Sequence, residues 1–388
     1  MKQLVGRVFL FVLFVAVPQG GANELPPFPA VDSNFESYRI NAVAYLFDRA
    51  MSHRSRQEVL LNAPFELAAN NSVPYRGKFL LLHGLNDSPY VWREFAYSLV
   101  EKGFDVRAIL LPGHGTTPKD MLKVSYLSWL DTVREHFKIW NTDQTPVFVG
   151  GFSLGGILAT VLALENSSID GLLLVSPAFN SRLNHLLRWS WLYRKFRPWL
   201  YGGMILEDNP IKYNSIAINS GTQFYAATKY LKRHWRGRKL DMPVLVAVTE
   251  DDSVVDIEYV RKVFDNRFSS NKKRLIYYSA KGKESLKPHE IRRNSRLPDR
   301  RLLNQSHLSL INSPQNLLYG EDRKVLVCNG NEYPVFMACM GATSHWYGAQ
   351  HTPSPDGIPV ARTTYNPDYG FILKQFDQVF TDDSHLSD

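Results

Sequence analysis

The chain has 388 residues, 44% of them hydrophobic and 21% charged, which excludes a disordered, collagen-like or purely fibrous polymer and leaves enough apolar mass for a full core. Its net charge of +8 brings a nucleic-acid or anionic-membrane partner into consideration, but the charge is uneven. Residues 182–240 hold 12 basic and 2 acidic side chains and residues 261–301 hold 14 and 4, so each stretch is +10 and the remainder −12. Any anionic partner must meet one of those stretches.

At the amino terminus, Lys2 and Arg7 precede the apolar run 8–17, and Pro18, Gly20, Gly21 and Ala22 lead into polar residues. A basic start, an apolar centre and a small-residue exit form the order of a secretory signal, read here as residues 1–22 and cleaved near Ala22. The run is shorter than the roughly 20 residues a spanning helix needs. An uncleaved anchor or a buried helix is the alternative. Export places the protein in the periplasm or outside the cell and removes it from nucleic acid. The two cysteines, Cys328 and Cys339, lie eleven positions apart; in an exported protein they either close a local disulfide or stay as separately buried thiols.

Residues 34–53 carry apolar positions at helical spacing, so an amino-terminal extension over 23–74 contains a packing helix. The apolar run 79–82 ends at His83-Gly84, as a buried parallel strand ends in a tight turn. Further strands are predicted at 106–110, 147–149, 171–175, 244–248 and 274–278, with helices at 92–102, 126–140 and 154–165. This alternation predicts an α/β fold, a mostly parallel sheet covered on both faces. The main domain is read as 75–320, with an aromatic and basic insertion at about 180–240. Residues 321–388 carry Pro, Gly and Tyr with few helical patterns and are expected to form an irregular carboxy-terminal extension.

Gly151-Phe152-Ser153-Leu154-Gly155 follows an apolar strand and opens an apolar helix. The glycines permit a sharp turn that pushes the Ser153 side chain out of the sheet. A serine hydroxyl needs a base and an orienting acid, and in this context they follow in the order acid, histidine. The strand 244–248 runs into Glu250-Asp251-Asp252-Ser253, where Asp252 is the favoured acid and Asp251 the alternative. Among the later histidines, His307 in Gln-Ser-His-Leu is favoured as base over His289, which sits in a charged run; His345 and His351 read as structural. An acyl oxyanion needs aimed N–H donors, for which the backbone of Leu154 and of Leu85, in the turn after the first strand, are the candidates. His83 reads as a loop organiser. No spacing implies a metal or an organic cofactor.

These residues resemble the α/β-hydrolase superfamily, and within it the bacterial carboxylesterase, monoacylglycerol-lipase-like and serine-aminopeptidase-type group. The resemblance rests on H-G-L-N-D-S-P at 83–89, L-P-G-H-G-T at 111–116, G-F-S-L-G-G at 151–156, E-D-D-S-V-V at 250–255 and S-H at 306–307. It implies the α/β-hydrolase fold with a lid inserted after the sixth strand, a Ser-His-Asp triad and a covalent acyl-enzyme.

The lid carries Trp189, Trp191, Tyr193, Phe196, Trp199 and Tyr201 among Arg188, Arg194, Lys195 and Arg197. The rings either line an acyl pocket beneath solvated arginines or meet an anionic lipid surface. The expected activity is hydrolysis of carboxylic esters, on a small-molecule or lipid ester substrate. The alternatives are peptide or amide cleavage, for which Glu207 and Asp208 are the only acidic clamp in the lid, and a non-catalytic binding module on the same fold.

Overall fold

The computed structural model describes residues 27–204, 207–281, 285–328 and 333–381. The signal-like segment 1–22 lies outside them. Eight strands form the main sheet: β1 (Phe65–Leu67), β2 (Gly77–Leu82), β3 (Phe104–Ile109), β4 (Val147–Phe152), β5 (Gly171–Val175), β6 (Val244–Thr249), β7 (Lys273–Tyr278) and β8 (Glu290–Arg293). Their spatial order is β1-β3-β2-β4-β5-β6-β7-β8. Only β1 is antiparallel to its neighbour.

Strands β2, β4, β5 and β6 are buried at every position. That is why they read as continuous apolar runs rather than alternating ones. Leu80 and Leu82 face one layer with α3 (Tyr126–Trp140), α4 (Leu154–Glu165), α5 (Ile218–His234) and α6 (Ile257–Arg267). Phe79 and Leu81 face the other, with α2 (Arg93–Val100) and α7 (Tyr369–Phe380). The leading helix α1 (Phe35–Ala50) is capped by the Asn34 side chain, which accepts the Ser37 N–H.

Three expectations are corrected. Strand β1 joins the sheet from before residue 75, and β8 extends it beyond β7, in the charged run around His289 where no strand is predicted. The segment after 320 is not an irregular wrap. It contains a helix at Tyr333–Gly341, a parallel pair of strands, Trp346–Gly348 with Val360–Arg362, and α7. Ile372, Phe376 and Val379 of α7 are buried against the sheet, with the Phe376 ring 5.7 Å from that of Phe79. The main domain therefore includes the carboxy-terminal segment.

The insertion leaves the sheet after β5, so five strands precede it in this sheet rather than the six implied by the resemblance. It holds short helices at Asn184–Leu187 and Ser190–Tyr193, an antiparallel pair Trp199–Met204 with Ser215–Ala217, and α5. Cys328 and Cys339 form a disulfide. No described helix is long and apolar enough to cross a membrane.

Candidate active site

Ser153 sits between β4 and α4 with φ 53°, a conformation disfavoured for a residue with a Cβ. Its backbone is held by hydrogen bonds on both sides. The N–H donates to Val175 O at 3.1 Å, and the carbonyl accepts from Gly156 and Ala178 N–H groups at 3.0 Å each. The turn requires glycine at 155, where a Cβ would stand 2.0 Å from the Leu82 carbonyl oxygen. Close approach of α4 to the end of β2 is what permits the tight strand-to-helix turn.

The ends of β4 and β6 and the loop 303–308 converge on this point. His307 Nε2 lies 2.9 Å from Ser153 Oγ, and His307 Nδ1 lies 2.6 Å from Asp252 Oδ2. Asp252 is fully buried, and its other oxygen accepts the N–H groups of Val254 and Val255 at 2.8 Å each. A carboxylate only accepts hydrogen bonds, so it holds the ring proton on Nδ1 and leaves Nε2 as an acceptor for the serine hydroxyl. Ser153 itself is 7% exposed.

The structure thus brings Ser153, Asp252 and His307 together, and leaves their alternatives apart. Burial, then the neighbouring Glu250 charge, pushes the Asp251 carboxyl up, and its buried Oδ2 has no hydrogen-bond partner among the described residues. His289 is exposed and precedes β8 with φ 67°. His345 Nε2 donates to the Cys339 carbonyl at 2.7 Å.

The turn carrying Leu85 lies against the serine. A Cβ on Gly84 would be 3.2 Å from Ser153 Cβ, and the Leu154 N–H opens α4 immediately after the serine. His83 organises this turn, as its sequence position suggests. Its Nε2 accepts the Leu111 N–H at 3.1 Å, which fixes the proton on Nδ1, 2.8 Å from Gly84 O. Burial pushes the ring's pKa down to about 3, so it stays neutral.

Other residues that shape the surroundings have no sequence signal, because their partners are distant in the chain. Lys212 of the insertion is ion-paired with buried Asp87 in the same turn. The Glu207 carboxylate accepts the Cys328 N–H at 2.6 Å, and Asp208 is paired with Arg54. Both acids proposed as a clamp for a peptide amino terminus are therefore engaged elsewhere. Among the described residues no group of three His, Cys, Asp or Glu side chains could hold a metal ion.

A family model described as Hydrolase_4, serine aminopeptidase S33, matches residues 74–282. The chain belongs to that family. Its mostly parallel sheet is that of an α/β-hydrolase, and the S33 match ends before the loop that carries His307. A thermostable monoacylglycerol lipase from Bacillus sp. (strain H-257) is 31% identical over 99 residues, 26% of this chain and 40% of that relative. The match thus spans less than half the relative's length. Similar solved structures include a chain of the metagenome-derived lipolytic enzymes LipS and LipT, at 19% identity, covering 56% of this chain and 86% of that one, with a TM-score of 0.47. A soluble variant of monoglyceride lipase from Saccharomyces cerevisiae is 16% identical, with 56% and 82% covered and a TM-score of 0.47.

Proposed function

We propose that this S33-family protein is a serine hydrolase of carboxylic esters. The observation that carries the reading is the pair of hydrogen bonds at the His307 ring, which accepts from Ser153 Oγ at 2.9 Å and donates to Asp252 at 2.6 Å. Ser153 Oγ attacks the acyl carbon and passes its proton to His307 Nε2. The oxyanion forms toward the N–H groups of Leu85 and Leu154. His307 then protonates the departing alcohol, activates a water molecule and releases the acid from the acyl-enzyme, while Asp252 stabilises the transient imidazolium.

The substrate class is short to medium acyl esters or monoacylglycerols, which the kinship with a monoacylglycerol lipase supports. Residues 1–22 and the Cys328–Cys339 disulfide support an exported, oxidising setting. The lid is read as touching an anionic membrane surface. In support, Trp189, Trp191, Tyr193 and Phe196 are exposed, interleaved with Arg188, Arg194, Lys195 and Arg197.

The test is hydrolysis of p-nitrophenyl esters across a chain-length series by the purified protein and by Ser153→Ala. Turnover lost in the variant supports the reading, and the preferred length separates a small-ester enzyme from a lipase-like one. Absence of turnover at every length, with both proteins folded, overturns it in favour of amide substrates or binding.

A further inference from the structure

The loop that carries His307 is held laterally by the carboxy-terminal segment. The Leu303 N–H donates to Tyr347 O at 2.7 Å, and the Thr363 hydroxyl donates to Asn304 O at 2.8 Å. The Asn304 side-chain oxygen accepts the Ala349 N–H at 2.7 Å. Next to the histidine itself, the Ser306 hydroxyl donates to Thr363 O at 2.6 Å. On the sheet side the His307 carbonyl accepts from Ser176 Oγ at a longer 3.2 Å. Ser306 and Thr363 are each 1% exposed, so bulk water does not take over these bonds when one partner is removed.

The residues doing the holding lie on or beside the two-stranded ribbon Trp346–Gly348 with Val360–Arg362. Each strand of that ribbon is anchored at one cysteine. Ala361 pairs with Cys328, and the Arg362 N–H donates to Val327 O at 2.7 Å. The other strand is entered through His345, whose Nε2 donates to the Cys339 carbonyl. The Cys328–Cys339 bond joins the two anchors. A closed path of bonds therefore runs from the disulfide through both strands to Asn304 and Ser306, on the histidine loop.

We propose that Ser306 and Thr363, backed by this disulfide-closed ribbon, are positioning residues that set the His307 imidazole between Ser153 and Asp252. The inference rests on the reading of His307 as the base. Serine hydrolysis depends on sub-ångström placement of that ring. A ribbon outside the family match thus carries part of the machinery.

The experiment uses the full protein with Ser306→Ala, Thr363→Val, Thr363→Ser and the double variant Cys328→Ala/Cys339→Ala. Folding is checked by circular dichroism and thermal melting. Two rates are read: kcat and KM on a p-nitrophenyl ester, and the rate at which a fluorophosphonate labels Ser153. The expected result is a kcat and a labelling rate about ten- to a hundredfold lower in Ser306→Ala, Thr363→Val and the double variant. KM stays within about twofold, and Thr363→Ser, which keeps the hydroxyl, recovers most of both rates.

Folded Ser306→Ala and Thr363→Val proteins with wild-type rates overturn the proposal, as does a raised KM with unchanged kcat, which makes the ribbon a wall of the substrate site. Should the double variant fail to fold, the two single variants decide. If wild type is labelled but cleaves no ester, the ester reading fails while the labelling rates still decide the positioning role. Wild type that is neither labelled nor active overturns both.

Discussion

Lys212, inside the insertion, is ion-paired with Asp87, in the turn that follows β2. The Asp87 side chain has no exposed surface and that of Lys212 retains 22%. The pair thus ties the insertion to the turn that carries Leu85. Replacing Lys212 with Met leaves a buried carboxylate without its counter-charge. The expected loss is about 3 kcal/mol of unfolding free energy, measured by urea denaturation. Adding Asp87→Asn to that variant is expected to recover part of the loss, since the uncompensated charge is then gone. Equal stability of Lys212→Met and wild type removes the pair from any account of how the insertion is held.

The two adjacent acids differ in what they touch: Asp252, not Asp251, meets the His307 ring. Asp252→Asn loses the acceptor that keeps the His307 proton on Nδ1, so kcat is expected to fall by about 10⁴-fold. His307 takes Asp252 rather than Asp251 as its partner, and Asp251→Asn is expected to stay within about threefold of wild type on the same ester. The reverse order of effects would reassign the acid.

How much of this was legible in the sequence follows from where each signal originates. The runs around Leu80, Val149 and Leu173 are buried on both faces of the sheet, and burial of that kind writes itself as uninterrupted apolar residues. Ser153 was legible because its turn demands glycine at fixed offsets, and Asp252 because it ends a long apolar strand. Strand β8, Glu-Ile-Arg-Arg, has no such mark: it is an edge strand, and its buried Glu290 is paired with Arg261, 29 positions away. Helix α7 does carry a pattern, Tyr369, Ile372, Phe376 and Val379, but the Pro- and Gly-containing sequence before it shows few helical patterns and its partner Phe79 is nearly 300 positions away. The bracing of His307 by Thr363 was invisible for the same reason, since a hydroxyl-to-carbonyl bond between distant loops leaves no periodicity.

Three histidines make the fold sensitive to acid. His83, His114 and His136 are buried, and burial pushes each pKa down to about 3. In the unfolded chain they titrate near 6.5. Between about pH 6.5 and pH 3 the unfolded state therefore binds more protons, and stability falls as pH falls, by up to about 1.4 kcal/mol per pH unit for each histidine. His136 has neither ring nitrogen hydrogen-bonded among the described residues and packs edge-on against Tyr38 at 4.6 Å. His136→Phe is expected to make the pH dependence of unfolding shallower between pH 4 and 6. An unchanged slope in urea melts over that range removes His136 from the set.

The surface of the insertion makes its own demand. Phe196 is 78% exposed, Tyr193 62% and Trp191 49%, a cluster of rings that an ordinary soluble surface rarely leaves together. Arg188 lies 5.0 Å over Trp189, and Lys195 lies 5.6 Å over Trp191. Cation and ring are thus presented side by side, as at a lipid interface where rings enter the acyl boundary and cations meet headgroups. Co-sedimentation with vesicles of phosphatidylcholine alone and with added phosphatidylglycerol is expected to show binding that rises with the anionic fraction and weakens as salt is raised. Trp191→Ser with Phe196→Ser is expected to lower the affinity at every salt concentration, because it removes the apolar part. Arg194→Gln with Lys195→Gln is expected to remove mainly the dependence on anionic lipid. Wild type that stays in the supernatant with both vesicle types leaves the exposed rings without a membrane role.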